Sequence, residues 1–404
     1  MKILYLTPFL PYPLNRGTHQ RVYHLLKSLA SAHQVTLFSL DPDNQAAAHQ
    51  GVFEALCERV IRRPVTLNPW RNLSQRLFSP QPETMFHWDL PAIRQELGEI
   101  LNSEDFDLIF AEDICMTQYI YDLMPAGAKQ IPVITDRNRV DLEFMQESWP
   151  YLKGLRSRAN FAENYLKLER LERRLAKRFP NQVVCSPEDA DFVKQQLDIN
   201  PWIIGNGVDH HYFKPQSWSR EGDVPVLCFT GAMDYAPNAE GITWFMQEVH
   251  PLLLKKIGKF KLRIVGLNPG PEIRAFEAVE GVEVTGGVPD IRPAYAACDV
   301  YIAPIRIGGG TRLKIIEAMA MGKPVVSTPT GAQGLGLTEG LQVRYAEKSV
   351  AFAAQIGDLL AHPGVRERMA QAGMKHILKH FTWESLGQKL VLRVEQAMTL
   401  AKVA

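Results

Sequence analysis

The stretch that decides the fold runs from Ile302 to Leu335, IAPIRIGGGTRLKIIEAMAMGKPVVSTPTGAQGL. A strand ends at Ala303-Pro304, three glycines follow at Gly308, Gly309 and Gly310, and a helix opens near Thr311. That helix carries Arg312, Lys314 and Glu317, and the small residues Ala318 and Ala320 permit close packing. A strand, a bare glycine loop and a helix start together make a phosphate cradle, with open backbone amides and two cations beside them. Glu317, about two turns into the helix, is placed to accept bonds from a vicinal diol such as a ribose. The bland alternative is a solvated basic first turn. A cation there opposes the helix dipole, and an unfavourable charge beside a glycine loop argues for a ligand.

Working outward, short apolar runs alternate with longer amphipathic stretches on both sides of this segment. The runs predict strands at 2–7, 34–40, 59–65, 107–111, 131–135 and 182–186, then at 225–231, 260–266, 281–285, 299–304, 323–327 and 341–345. Two such sets predict two doubly wound α/β domains, Rossmann-like in architecture, with no residue-level repeat between them. Pro201, Gly205, Gly207, Pro215, Gly222 and Pro225 punctuate the region 187–224, where the boundary is expected. The expected division is 1–195, 196–385 and a C-terminal helix at 386–404 carrying Leu386, Leu390, Val394 and Met398. Open α/β sheets bind ligands beyond the carboxyl ends of their strands, so two such domains facing one another would form a single cleft.

The chain has 404 residues with 45 basic and 44 acidic side chains, a formal net charge of +1. No global field is available to draw in nucleic acid, so an anion site has to be built locally. No apolar run approaches the ~18–20 residues that cross a bilayer, and Ile3-Leu4-Tyr5-Leu6 is too short for a signal-peptide core. Cys57, Cys115, Cys185, Cys228 and Cys298 form no CxxC pair, which predicts reduced packing residues in a cytoplasmic protein.

Other strand ends carry candidate residues. Asn15-Arg16-Gly17-Thr18 lies between the first strand and a helix with Val22, Leu25, Leu26 and Leu29 on one side. Glycine there admits a ligand to the backbone, or simply makes the turn. No GxGxxG follows, which argues against a dinucleotide-binding domain. Thr230-Gly231 and Thr285-Gly286-Gly287-Val288 end two strands of the second half. Ala111-Glu112-Asp113 and Thr135-Asp136-Arg137 place carboxylates at strand ends in the first half, as acceptor or sugar contacts or as helix caps.

Gly205-Asn206-Gly207-Val208-Asp209, Gly231, and Glu317-Ala318-Met319-Ala320 followed by Gly322-Lys323-Pro324-Val325-Val326 resemble a GT-B glycosyltransferase of family GT4. The resemblance covers nearly the whole chain and is most specific in the second half. It is similar to bacterial transferases of exopolysaccharide and surface-glycan assembly. It implies a GT-B fold and a retaining hexosyltransferase that takes a nucleotide-diphosphate sugar, with UDP favoured, and needs no metal or other cofactor. The acceptor would be a glycan or lipid-linked sugar. The N-terminal domain would bind this acceptor and the C-terminal domain the donor. By the same resemblance, Gly17 approaches the diphosphate or sugar, backbone around Gly286, Gly287 and Val288 holds the base, and Glu317 binds the ribose.

Two departures stand out. Family members usually have a second glutamate eight positions before the first, where this chain has Gly309. They also often carry Arg and Lys after the strand ending at Gly231, whereas Ala232 to Asn238 contains no cation. Arg312 and Lys314 are the expected substitutes, neutralising the leaving diphosphate. The candidate donor site is therefore Gly17, Gly231, Gly287, Val288, Gly309, Gly310, Thr311, Arg312, Lys314 and Glu317. The candidate catalytic groups are Glu112, Asp113, Asp136 and Lys314. No histidine occupies the usual N-terminal position, but retaining transfer needs no protein nucleophile if the donor phosphate takes the acceptor proton. Two other readings stay open: a GT-B nucleotide-sugar epimerase, and a silent nucleotide-sugar-binding subunit suggested by the missing glutamate.

Asp41-Pro42-Asp43 and Asp189-Ala190-Asp191 spell DxD but read as a turn and a helix start. His376 with His380 reads as a helix face, and His210-His211 as linker surface. Around 163–179 a basic helix carries Lys167, Arg170, Arg173, Arg174, Lys177 and Arg178. It either lies on an anionic membrane or packs on the core with a solvated outer face, and the second is the favoured expectation. Peripheral attachment at the inner membrane face stays open.

Overall fold

The computed structural model describes residues 1–404 except 43, 45, 46, 68–78, 125–130, 153, 218–221, 309 and 404. It contains two compact units, one formed by Met1–Ile204 with Gly387–Ala404 and the other by Gly205–Leu386. The first holds β1 (Lys2–Thr7), β2 (Gln34–Pro42), β3 (Arg59–Val65), β4 (Leu108–Glu112), β5 (Val133–Asp136), β6 (Gln182–Val184) and β7 (Trp202–Ile203). These strands lie in the order β3-β2-β1-β4-β5-β6-β7. The second holds β8 (Val226–Thr230), β9 (Lys261–Val265), β10 (Val282–Gly286), β11 (Val300–Ala303), β12 (Val325–Ser327) and β13 (Arg344–Tyr345), in the order β10-β9-β8-β11-β12-β13. Every strand pairing in the two sheets is parallel.

Both sheets are buried on two faces, which is why their strands are continuous apolar runs rather than alternating ones. In the second sheet, Leu227, Phe229 and Ile302 join one core, while Cys228, Tyr301 and Ala303 join the core on the opposite face. In both units the winding reverses beside the first strand, between β1 and β4 and between β8 and β11. A crevice opens beyond the strand ends at such a switch point.

Among the helices flanking these sheets are α1 (Gly17–Ala32), α2 (Asp113–Leu123), α3 (Leu155–Arg178), α4 (Pro187–Leu197), α5 (Ala236–Trp244), α6 (Arg292–Ala297), α7 (Leu313–Ala320) and α8 (Trp383–Val403). Several bounds differ from the sequence reading, among them the last strand, expected at 341–345 and formed by Arg344–Tyr345 alone. The sixth strand stops at Val184, because Ser186 is extended and its hydroxyl accepts the Asp189 N–H to start α4. Trp202-Ile203, inside the expected linker, adds a last strand to the first sheet.

The C-terminal helix starts at Trp383, and from Gly387 onward it belongs to the first unit. Leu390, Val394 and Met398 are buried, and Lys389 donates to the Ile203 carbonyl at 2.9 Å. A side chain on Gly387 would collide with Ser28 of α1. All five cysteines are free and buried.

Candidate functional site

At the end of β8, Gly231 adopts φ +145 and donates its N–H to the Val265 carbonyl at 2.9 Å. A Cβ here would stand 2.6 Å from Lys314 Nζ and 2.7 Å from Asn238 Nδ2. Glycine therefore lets a lysine from α7 and an asparagine from α5 close on the turn. Lys314 Nζ donates to Asn238 Oδ1 at 2.5 Å and sits 4.4 Å from the Phe229 ring centroid. Asn238 in turn donates to the Ala232 carbonyl at 2.7 Å. Burial pushes the lysine down to about 7, and Arg312 adds to the fall while Glu317 opposes it. A bound anion would restore its full charge.

Glu317 is buried three residues further along α7. Tyr295 of α6 donates to its Oε2 at 2.7 Å. The Tyr295 hydroxyl also lies 2.9 Å from Thr230 Oγ1, and the Tyr301 hydroxyl lies 2.8 Å from that same atom. Burial and then Glu317 raise Tyr295 well above its ordinary pKa, so it stays a proton donor. This network ties α7 to α6, β8 and β11 and fixes where the carboxylate stands.

The loop before α7 is fastened from both sides. Arg312 donates to the carbonyls of Gly308 and Ile307, and Gly308 and Gly310 have φ of +96 and +77. Asn206 donates from its backbone to Thr311 Oγ1 at 3.0 Å and from its side chain to the Thr311 carbonyl at 3.1 Å. Gly309 lies outside the described residues. At the end of β10, Gly286 has φ +73, and a Cβ on Gly287 would stand 2.5 Å from Leu267 Cδ2. Val288 is exposed beside them. The second unit thus brings Gly231, Lys314, Asn238, Glu317 and Thr311 to the β8 and β11 end of its sheet, with Gly287 and Val288 at its β10 edge.

In the first unit, Asp136 at the end of β5 accepts Arg21 Nε at 2.8 Å and Nη2 at 2.5 Å, and both groups are buried. Burial would lower Arg21, but Asp136 outweighs it and holds the guanidinium above its ordinary pKa. Arg21 also donates to the Ile204 carbonyl at 2.8 Å. Both oxygens of Asp136 are therefore engaged in fastening α1 to the sheet.

Glu112, at the end of β4, accepts from Asn138 and lies 3.5 Å from the Tyr5 hydroxyl. Burial and Asp136 raise it well above the carboxylate range despite Arg21. Asp113 opens α2 with φ +68, a conformation rare for a non-glycine residue. Burial and then Asp141 push its carboxyl up to about 7, against Arg137. Gly17 is exposed at the start of the 16-residue α1, with no side-chain cap on that helix.

Sequence reasoning missed Arg21, Asn138, Asn238 and Tyr295. Arg21 had a signal: it shares the i, i+4, i+8 stripe of α1 with Leu25 and Leu29. Of the DxD look-alikes, Asp41 pairs with Arg62 at 2.5 Å, Asp189 belongs to the α4 start, and Asp43 lies outside the described residues. Among the described residues, His210, His211 and Glu384 bring ligand-type atoms within 4.8 Å of one another, with His211 and Glu384 exposed.

Residues 15–212 match the family model described as Glycosyltransferase Family 4, and residues 224–362 match glycosyl transferases group 1. An uncharacterised 44.6 kDa protein in the cps region of Klebsiella pneumoniae is 24% identical over 88% of this chain and 90% of that one. The MMP alpha-(1->4)-mannosyltransferase of Mycolicibacterium hassiacum is 24% identical over 80% and 77%. Among solved structures, sucrose-phosphate synthase from Thermosynechococcus elongatus superposes with TM-score 0.73 at 16% identity, covering 99% of this chain and 100% of that one. Anabaena HepE in complex with UDP-glucose gives 0.64 at 16% identity, covering 98% and 100%. The chain is a GT4-like glycosyltransferase with the two-domain α/β GT-B fold.

Proposed function

We propose that the protein transfers a hexose from a UDP-sugar to a glycan or lipid-linked acceptor, with retention of anomeric configuration and without a metal. The observation that carries this reading is the convergence of Gly231, Lys314 and the Tyr295-held Glu317 at the switch point of the second sheet. Lys314 meets the diphosphate, whose negative charge raises the lysine's pKa so that it takes up a proton from solvent, and the positive charge then stands where the leaving group becomes more negative. Glu317 accepts the ribose hydroxyls, and the backbone at Gly287 and Val288 holds the base. Arg312 acts chiefly by shaping the glycine loop that presents its amides. The first unit supplies the acceptor side, with Asp113 and Glu112 as the carboxyl groups for hydroxyl contacts. Asp136 serves by holding α1, the helix that begins at Gly17.

Support for UDP comes from the Anabaena structure that holds UDP-glucose, and support for a hexosyl donor from the mannosyltransferase relative. The location of the Klebsiella protein in a cps region suits surface-polysaccharide assembly. Incubation with an α-linked UDP-hexose and an acceptor panel, followed by proton NMR of the product, is the test. An α-linked product formed in the presence of chelator is expected, and a β-linked product overturns retention. Gly309 at the place of the family's usual first glutamate favours one alternative, a silent binding subunit. That reading predicts tight UDP-sugar binding with no product from any acceptor.

A further inference from the structure

From the outer face of α3 we infer that the first unit docks on an anionic phospholipid bilayer. This goes beyond the donor reading and does not depend on it. The helix holds eight basic and three acidic residues, in a chain whose formal net charge is only +1. Its inner face is spent on the core: Leu168, Leu171 and Leu175 are buried, and Glu172 pairs with Arg137 at 2.5 Å. The helix is thus core-facing, and its apolar side has no surface left to offer lipid.

The outward face is different. Arg156, Arg158, Arg170, Arg173, Arg174 and Lys177 are all exposed. The two remaining glutamates are used within the helix, Glu163 by Lys167 at 2.6 Å and Glu169 by Arg173 at 2.8 Å. Arg174 and Arg178 lie over the Tyr121 ring, each 5.0 Å from its centroid, which anchors that end of the row. Like charges in a row repel one another, so a merely solvated face gains nothing from clustering them.

Apolar side chains stand out among these cations. Leu155 is 87% exposed and Leu166 is 51% exposed, and Trp149 is exposed just before the helix with Arg158 5.8 Å from its ring. A row of cations with an indole and leucines beside it matches the interface of an anionic bilayer, where lipid charge attracts the first and acyl boundary receives the second. Among the described residues no helix is long and apolar enough to cross a membrane, so the contact is with the surface.

Co-sedimentation of the full chain with vesicles of phosphatidylcholine alone and of phosphatidylcholine mixed with phosphatidylglycerol is the test. Binding to the mixed vesicles, little binding to the neutral ones, and weakening with added salt are expected. Combined Arg170→Gln, Arg173→Gln and Lys177→Gln should lower the affinity at least about tenfold. Leu155→Ser with Leu166→Ser should weaken it independently, through a different kind of contact. An unchanged melting temperature and unchanged UDP calorimetry in both variants show that the fold and donor site are intact. Failure of the wild type to bind the mixed vesicles, equal binding to both vesicle types, or wild-type affinity in the two variants would overturn the inference. Tighter binding of heparin or duplex DNA than of vesicles would also overturn it, pointing to a soluble polyanion instead.

Discussion

Lys314 sits near neutrality because burial withdraws water from its ammonium while Arg312 repels it. The negative charge of a bound diphosphate outweighs both effects, so binding should draw a proton from buffer. Calorimetry of UDP at pH 8 in buffers of different ionisation enthalpy should show proton uptake that shrinks towards pH 6 and disappears in Lys314→Met. The sign for stability follows from the same shift. The folded pKa, about 7, lies below the ordinary value of 10.5, so the unfolded chain binds more protons between them. That lysine's contribution to stability should rise with pH across this window, a slope absent from Lys314→Met when melting is followed against pH. Tyr295→Phe should keep the fold but lower UDP affinity about tenfold, because a hydrogen bond to a charged group contributes ~1.5–3 kcal/mol. Equal UDP affinity in Tyr295→Phe and wild type, by calorimetry, would refute the positioning of Glu317 by that hydroxyl.

The buried Arg21–Asp136 pair joins α1 to β5. Arg21→Met leaves a buried carboxylate without its cation, which costs about 3–5 kcal/mol. Hydrogen exchange should show that loss as faster amide exchange in β1 and β5, and Arg21→Met with Asp136→Leu should recover much of it. Gly231→Ala should abolish UDP binding in calorimetry while leaving the second sheet folded, because its Cβ would displace Lys314 and Asn238. Strands were the most readable elements. Runs such as Leu4-Tyr5-Leu6 and Leu227-Cys228-Phe229 are buried on both faces, so each signals a strand by itself. Trp202-Ile203 was hidden because two residues carry no period. In the site, Gly231, Lys314 and Glu317 were legible from glycine and charge at a strand end. Tyr295 and Asn238 were not, because their roles exist only through contacts with residues 22 and 76 positions away.

At the scale of the molecule, one architecture occurs twice, and its two copies put different chemistry at the same topological place. Beside β1 and β4 the strand ends hold Glu112, Asp113 and the Arg21–Asp136 pair, whereas beside β8 and β11 they hold Gly231, Lys314 and Glu317. The chain passes from the first unit to the second after Ile204 and returns at Gly387, so α8 belongs to both in sequence and mainly to the first in packing. Nucleotide recognition is proposed for the second unit. Calorimetry of UDP, GDP and ADP with and without Mg²⁺, on the wild type, Lys314→Ala and Glu317→Ala, tests this most directly. Metal-independent binding of UDP that weakens in both variants is expected. Variants that bind UDP like the wild type, or a wild type that binds none of the three nucleotides, would contradict it.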